Sequence, residues 1–155
     1  MPVDQTWKKN HLIDHPAGGQ VFGVIPAIAP LQLQEAFVYL RMGEHRALRG
    51  SAPSGFGVRH IWEGKQNDLF RHGCLCIDDV PAFIASLIVL GAELYHDRSH
   101  AMAHKKRVTM LRAIEGTLVL EPIHDRQLGS MYSVVTWTPR RTPRGVLVGT
   151  IQRSF

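Results

Sequence analysis

The sequence predicts an α+β domain in which helices come first and cover one face of an antiparallel sheet of about four strands. Three observations predict this architecture. Apolar residues recur at helical spacing in the N-terminal part of the chain. Four β-rich runs follow, "RVTMLRAI", "GTLVLEPI", "MYSVVTWT" and "GVLVGTIQ", with turn-rich segments between them. The 155 residues are 45% hydrophobic and 20% charged, which suits one globular domain with its own core.

The first predicted elements are a short strand and a helix. "VFGVI" at Val21–Ile25 has the composition of a strand. A helix is then expected from near Pro30, because four apolar residues fall at i, i+3, i+4 and i+7. These residues are Leu33, Ala36, Phe37 and Leu40.

Two further helices are expected after the breaker-rich loop "GSAPSG". A second, short helix carries Arg59–Glu63. Asp78 or Asp79 can cap the start of the third helix. Pro81 suits the first turn of that helix, and Gly91 can end it.

The chain is expected to hold a flexible arm at residues 1–20 and a single α+β domain at residues 21–155. The opening residues lack the uninterrupted apolar run of a secretion signal. The longest apolar stretch, Val80–Leu90, is about half the length that a membrane helix needs. We therefore expect a soluble protein that is cytoplasmic as synthesised and has no membrane partner, with delivery to another cell left open. Cys74 and Cys76 are too close in sequence for a disulfide scaffold and are expected to be reduced.

The charge of the chain favours an acidic partner. Eighteen Lys and Arg stand against thirteen Asp and Glu, which gives a formal net charge of +5. Such an excess favours a phosphate-bearing or acidic ligand. Nine histidines supply the side chain that most often serves as an acid, a base or a metal ligand near neutral pH.

Three motifs in order resemble those of the barnase/EndoU/RelE-like (BECR) nuclease group, particularly its prophage-borne and toxin-borne members. They are "GFGVRHI", "RHG" and the late strand "YSVVTWTP", and the resemblance covers roughly residues 55 to 140. It implies a helical N-terminal part packed on a curved antiparallel sheet. It also implies a metal-independent endoribonuclease that needs no cofactor and takes RNA as its partner, and it leaves open an immunity or inhibitor protein.

The chemistry of RNA cleavage can be checked against the activity that the resemblance implies, and it indicates candidate residues. Attack by the ribose 2′-OH needs a base, an acid for the departing 5′-oxygen and fixed positive charge at the phosphate. His60 and His72 are the candidate acid/base pair. Side chains that can bind the phosphate are Arg59, Arg112, Lys105 and Lys106.

Three residues of the late strand complete the candidate site. Ser133 and Thr136 can orient the phosphate through their hydroxyl groups. Because side chains alternate along a strand, at most one of the two is expected to face the cleft. Trp137 can stack on a base. Each candidate also has an ordinary structural interpretation: a histidine at the edge of the core, an arginine in a surface ion pair, or an aromatic side chain in the core.

Two other functions remain open at this point. His96, His100 and His104 suggest a metal, although on a helix the outer two rings are separated by about 12 Å and cannot share one ion. A metal-dependent hydrolase is therefore one alternative. The other is a non-catalytic, basic module of phage origin that binds nucleic acid or protein through the same arginines.

Overall fold

The computed structural model describes residues 2–99, 103–112, 115–142 and 144–155. These residues form ten strands and two α-helices. The strands are β1 (Val21–Ile25), β2 (Ala36–Tyr39), β3 (Glu44–Arg46), β4 (Ser54–Phe56), β5 (Glu93–His96), β6 (Val108–Arg112), β7 (Gly116–Asp125), β8 (Gly129–Thr138), β9 (Val146–Thr150) and β10 (Arg153–Ser154). The helices are α1 (Gly57–Arg71) and α2 (Val80–Leu87).

Eight of the strands form one curled sheet in the order β10-β1-β2-β8-β7-β6-β5-β9. Strands β2 and β8 are parallel, and the other neighbouring pairs in this sheet are antiparallel. Strands β3 and β4 form a separate hairpin directly before α1. Although β9 follows β8 in the chain, it does not pair with β8. It pairs with β5 at the edge of the sheet.

The predicted fold class is wrong, because the protein is mostly sheet. A helical N-terminal part on about four strands was expected, whereas strands β1 and β2 extend the sheet at the N-terminal end and only two short helices are present among the described residues. The expected helix near Pro30 is strand β2 instead. Val38 and Leu40 point into the core while Phe37 is exposed, so the same apolar run also satisfies the two-residue period of a strand. A short apolar run fits both periods, and pairing with β1 and β8 decides between them.

Other predicted elements lie where the sequence places them. Val21–Ile25 is β1, and the four β-rich runs overlap with β6, β7, β8 and β9. The expected second helix is longer than Arg59–Glu63, and Lys65 interrupts its helical geometry. Pro81 lies in the first turn of α2 as expected. Neither α-helix, within the described ranges, has the length and apolar character to cross a membrane.

The core lies between the helices and one face of the sheet. Ile84 and Leu87 of α2 belong to the same buried cluster as Leu120, Val134 and Trp137 of β7 and β8. We call the opposite face of β6, β7 and β8 the outer face. Its side chains are polar or small, since Thr109, Thr117, Val119, Thr136 and Thr138 alternate with the core residues.

The start of α1 is fixed by a close crossing of two glycines. Gly57 has a φ of +78° and Gly43 a φ of +78°. A Cβ atom on Gly57 would lie 2.4 Å from the carbonyl oxygen of Arg41. Only glycine allows both this backbone conformation and this approach. The crossing places the first turn of α1 beside the end of β2.

Residues 2–20, expected as a flexible arm, run along the end of β2 and the start of α1. Ile13 donates its backbone N–H to the carbonyl of Leu40, and Met42 donates to that of His11. Val3 and Ile13 are buried in the core. Of the two cysteines, both free, Cys74 is buried and Cys76 is exposed.

Candidate functional site

Two histidine rings meet at the start of α1. His45 of β3 and His60 of α1 bring their Nδ1 atoms within 2.9 Å of each other, with ring centroids 5.1 Å apart. Both side chains are partly exposed. Gly55 leaves room for the contact, because a Cβ atom there would lie 3.0 Å from His60 Nδ1. Neither Nε2 atom has a hydrogen-bond partner in the described part of the chain.

The short contact determines the protonation of the pair. A hydrogen bond between two Nδ1 atoms needs one ring to donate and the other to accept. In the neutral pair, the ring that donates from Nδ1 has a bare Nε2, and the ring that accepts carries its proton on Nε2. The pair therefore presents one basic nitrogen and one N–H donor, whichever way the bridging proton points.

The surroundings favour the neutral form of His60. Burial lowers the pKa of His60 below its usual value, and the positive charges of His45, Lys65 and Arg107 act in the same direction. The imidazole is then free of a proton at one nitrogen at neutral pH. Such a group can accept a proton from a substrate.

Arg41 is held at the end of β2 by three contacts. Its Nε donates to Ser133 Oγ at 2.8 Å and its Nη1 donates to Asn10 Oδ1 at 2.8 Å. The guanidinium lies 4.0 Å from the centroid of the Phe56 ring. Burial lowers the pKa of Arg41, while the charges of Glu121 and Asp125 act in the opposite direction. Arg41 is thus a fixed, partly buried cation beside two carboxylates.

Arg107 and Glu121 continue this cluster along the outer face. Arg107 Nε donates to Glu121 Oε1 at 2.9 Å, and Lys105 Nζ lies 4.0 Å from the same oxygen. Glu121 pairs with Ser133 across β7 and β8. Glu121 thus joins Arg107 to Ser133, the residue that accepts the hydrogen bond from Arg41.

A cavity of about 290 Å³ opens next to Arg107 on the outer face. Its wall contains Val119 and five threonines, four of which lie on the sheet: Thr109, Thr117, Thr136 and Thr138. Arg140 and Arg144 lie at it together with Arg107. The cavity combines hydroxyl groups with three guanidinium groups and the carboxylate of Asp97, so it suits a ligand that carries both a negative charge and hydrogen-bond donors.

A β-bulge decides the orientation of the two candidate hydroxyl residues. Leu120 pairs with Val134, but Val119 pairs with Thr136, so Val135 is an extra residue in β8. Ser133 and Thr136 consequently point to the same face, although an uninterrupted strand would place them on opposite faces. Thr136 lines the cavity, whereas Ser133 is fully buried beneath Arg41.

The structure does not bring His72 to His60. The His72 ring packs against Phe83 and Trp137, at centroid distances of 5.5 and 5.3 Å. His60 lies near the start of α1 and His72 is the residue that ends it, and no hydrogen bond or ring contact joins the two side chains among the described residues. The structure therefore pairs His60 with His45 in the place expected for His72.

Two predicted binding residues have structural contacts instead. Trp137 is fully buried in the core and donates from Nε1 to the carbonyl of Glu115 at 2.8 Å. It is therefore not accessible for stacking on a base. Arg59 donates to three backbone carbonyls, those of Gly43, Gln5 and Trp7, and so ties the N-terminal segment to α1.

The remaining basic candidates lie directly before β6 and at its end. Lys105 and Lys106 line a second cavity of about 650 Å³ beside Glu121. The backbone of Arg112 ends β6 and pairs with Gly116, and its side chain lies outside the described residues.

The three spaced histidines do not form a cluster that the structure describes. His96 is buried and its Nδ1 lies 2.9 Å from the carbonyl of Arg107. His104 lines the second cavity, and His100 lies outside the described residues. Among the described residues, no group of three histidine, cysteine or acidic side chains is placed to hold a metal ion.

Sequence reasoning missed His45, Arg41 and Arg107. His45 lies in the short strand "EHR", which carries no periodic signal. Arg107 follows Lys105 and Lys106 directly before β6, and such a run of basic residues is typical of an exposed loop. Arg41 has one sequence signal: it is the first charged residue after the apolar run "AFVYL", which is typical of a charge at the end of a buried strand.

Comparison with known proteins gives no relative for this chain. No family model, no curated protein and no solved structure matches it.

Proposed function

We propose that the protein is a metal-independent endoribonuclease whose acid/base pair is His45 and His60. The observation that carries this proposal is the 2.9 Å contact between the two Nδ1 atoms. It links a basic nitrogen and an acidic N–H, the two Nε2 atoms of the pair, through one bridging proton. Cleavage by internal attack of the 2′-OH requires this set of groups.

In the first half of the reaction, His60 Nε2 takes the proton of the ribose 2′-OH. The 2′-oxygen forms a bond to phosphorus, and the bond between phosphorus and the 5′-oxygen breaks. His45 Nε2 gives its proton to the 5′-oxygen while the bridging proton moves from His60 Nδ1 to His45 Nδ1. The products are a 2′,3′-cyclic phosphate and a 5′-hydroxyl.

The pair ends this step in its opposite tautomer. His45 Nε2 is now bare and His60 Nε2 carries a proton. In this state His45 can activate water for opening of the cyclic phosphate, with His60 as the acid. A hydrogen-bonded pair of imidazoles thus serves both directions of proton transfer without a third acid or base.

Two arginines supply the positive charge. Arg107 is held by Glu121 Oε1 at 2.9 Å, and Glu121 pairs with Ser133, which binds Arg41, so both cations belong to one connected set of side chains. Arg41 is fixed by Ser133 and Phe56, so it loses little side-chain freedom when it meets an anion. The basic composition of the chain agrees with a polyanionic substrate.

The test is cleavage of a mixed-sequence RNA oligonucleotide in excess EDTA. We expect products with 2′,3′-cyclic phosphate ends and no cleavage of the same oligonucleotide with 2′-O-methyl groups. His60→Gln and His45→Gln should each lower the rate by about 10²-fold or more. His72→Gln is the matched control and should retain the parent rate, because His72 lies at the other end of α1.

The other outcomes separate the alternatives. RNA binding without cleavage by the parent protein would support a binding module. Loss of cleavage in EDTA would support a metal-dependent hydrolase. Cleavage that depends on His72 but not on His45 would overturn the assigned pair.

A further inference from the structure

The outer-face cavity beside Arg107 is lined by a specific set of side chains and differs in this from a general basic surface. The sheet side of its wall consists of threonine side chains and Val119, which present hydroxyl and methyl groups, and its other lining residues are His96, Asp97, Arg107, Arg140, Thr142 and Arg144. A volume of about 290 Å³ is at the small end of the range for small-molecule sites. This combination suits a flat, partly apolar ligand with polar edges.

The hydroxyl groups of two threonines are available to a ligand. Thr136 Oγ1 and Thr109 Oγ1 have only long contacts to backbone carbonyls, at 3.4 and 3.5 Å. By contrast, Thr117 Oγ1 donates to the carbonyl of Arg140 at 2.6 Å and holds the loop after β8 in place. The loop at the edge of the cavity is therefore held by Thr117, while the weakly bonded hydroxyl groups of Thr109 and Thr136 can turn to a ligand.

The cavity also offers an acceptor. His96 Nδ1 lies 2.9 Å from the carbonyl of Arg107, which requires the proton to be on Nδ1. In the neutral ring Nε2 is then a bare acceptor, and His96 lines the cavity. An acceptor, two hydroxyl groups and the guanidinium groups of Arg140 and Arg144 together match a ligand that carries N–H or O–H donors as well as a negative charge.

We propose that this cavity binds a nucleoside monophosphate, with the base and sugar against the threonines and the phosphate at Arg107, Arg140 and Arg144. Inorganic phosphate alone would leave the apolar wall uncovered. A nucleoside alone would leave Arg140 and Arg144 without an anionic ligand group.

The contacts of Arg107 link the cavity to the proposed cleavage site. Arg107 lines the cavity and donates to Glu121 Oε1 at 2.9 Å, and Glu121 pairs with Ser133, which accepts the hydrogen bond from Arg41. The link between the cavity and cleavage rests on the proposed function. The cavity then holds the nucleotide of the RNA that adjoins the scissile phosphate, and a free mononucleotide competes with RNA for it.

Titration calorimetry with adenosine 3′-monophosphate tests the binding step without any need for activity. Inorganic phosphate, adenosine and the 3′-monophosphates of the other three nucleosides are the comparison probes. We expect the monophosphates to bind at least about tenfold more tightly than phosphate or adenosine. Thr136→Val and Arg144→Gln should each weaken binding by about tenfold. Arg126→Gln, at an exposed arginine in the turn between β7 and β8, is the matched control and should bind as the parent does.

The outcomes distinguish this inference from the proposed function. Mononucleotide binding that Thr136→Val weakens supports the cavity even if no RNA is cleaved. RNA cleavage without such binding, or binding equal for phosphate and mononucleotide, would overturn the cavity as a nucleotide site and leave the histidine pair standing. Competitive inhibition of cleavage by the mononucleotide would support both.

Discussion

Arg41 Nε donates a hydrogen bond of 2.8 Å to Ser133 Oγ, and this contact joins the end of β2 to the middle of its parallel neighbour β8. The Ser133 hydroxyl is fully buried, so the bond connects a cation to a group that water does not reach. A hydrogen bond to a charged group contributes more than one between neutral groups.

Ser133→Ala should therefore destabilise the protein by about 1.5 to 3 kcal/mol. The same change should lower the rate of RNA cleavage, because Arg41 loses one of its three anchors. Urea unfolding and the cleavage assay measure the two effects. Ser130→Ala, at an exposed serine on the same strand, is the control and should leave both unchanged. Equal stability of the two variants would contradict the role given to the Arg41 contact.

Gly57→Ala should be far more destabilising than an equivalent change elsewhere. Its Cβ would lie 2.4 Å from the carbonyl oxygen of Arg41, and its φ of +78° is unfavourable for alanine. Gly129 has a φ of +74° with nothing within 4 Å, so Gly129→Ala measures the conformational cost alone. We expect Gly129→Ala to lower the free energy of unfolding by about 1 kcal/mol and Gly57→Ala to lower it by several times as much. Thermal unfolding of the two variants provides the comparison.

The free energy of unfolding should fall as the pH is lowered from 7.5 to 5.5. The pKa values of His60 and His15 are lowered in the folded protein, mainly by burial. The unfolded chain, with a histidine pKa of about 6.5, then binds more protons than the folded chain below neutral pH. The stability from these two groups is complete above the unfolded pKa and is lost as the pH falls towards the folded values.

His60→Gln should reduce this pH dependence and His15→Gln should reduce it separately. The lowered pKa values of Asp4 and Asp125 affect stability only at more acidic pH. Urea unfolding at several pH values measures the slope for each variant. If the free energy of unfolding of both variants depends on pH as that of the parent does, burial does not lower the pKa of either ring.

Trp137→Phe should reduce stability without a direct effect on RNA affinity. The change removes the indole N–H that donates to the carbonyl of Glu115 and leaves a smaller ring against Phe83 and His72. We expect a loss of about 1 to 3 kcal/mol in the free energy of unfolding. RNA binding, measured by fluorescence anisotropy at a temperature where the variant is folded, should equal that of the parent. A selective loss of affinity in a stable variant would return Trp137 to a base-stacking role.

The part of the fold that could be predicted from the sequence rests on local signals. Strand β1 and the late strands have β-rich runs between turn residues, and α2 has Pro81 in its first turn. The segment around Phe37 has no such decisive signal, because a short apolar run fits both a helix and a strand. The pairing of β2 with β1 and β8, which lie far apart in sequence, determines its conformation.

The sequence by itself determined a basic chain with one core, the late strands and the glycine-flanked position of His60. Only the tertiary structure decided what His60 contacts, because the hairpin β3–β4 carries His45 to it through the crossing of Gly43 and Gly57. The same holds for Ser133 and Thr136, which a single bulge turns to the same face. The physical reason is that helical and strand periods act over a few residues, whereas hydrogen-bond register and backbone crossings depend on segments that meet only in the folded chain.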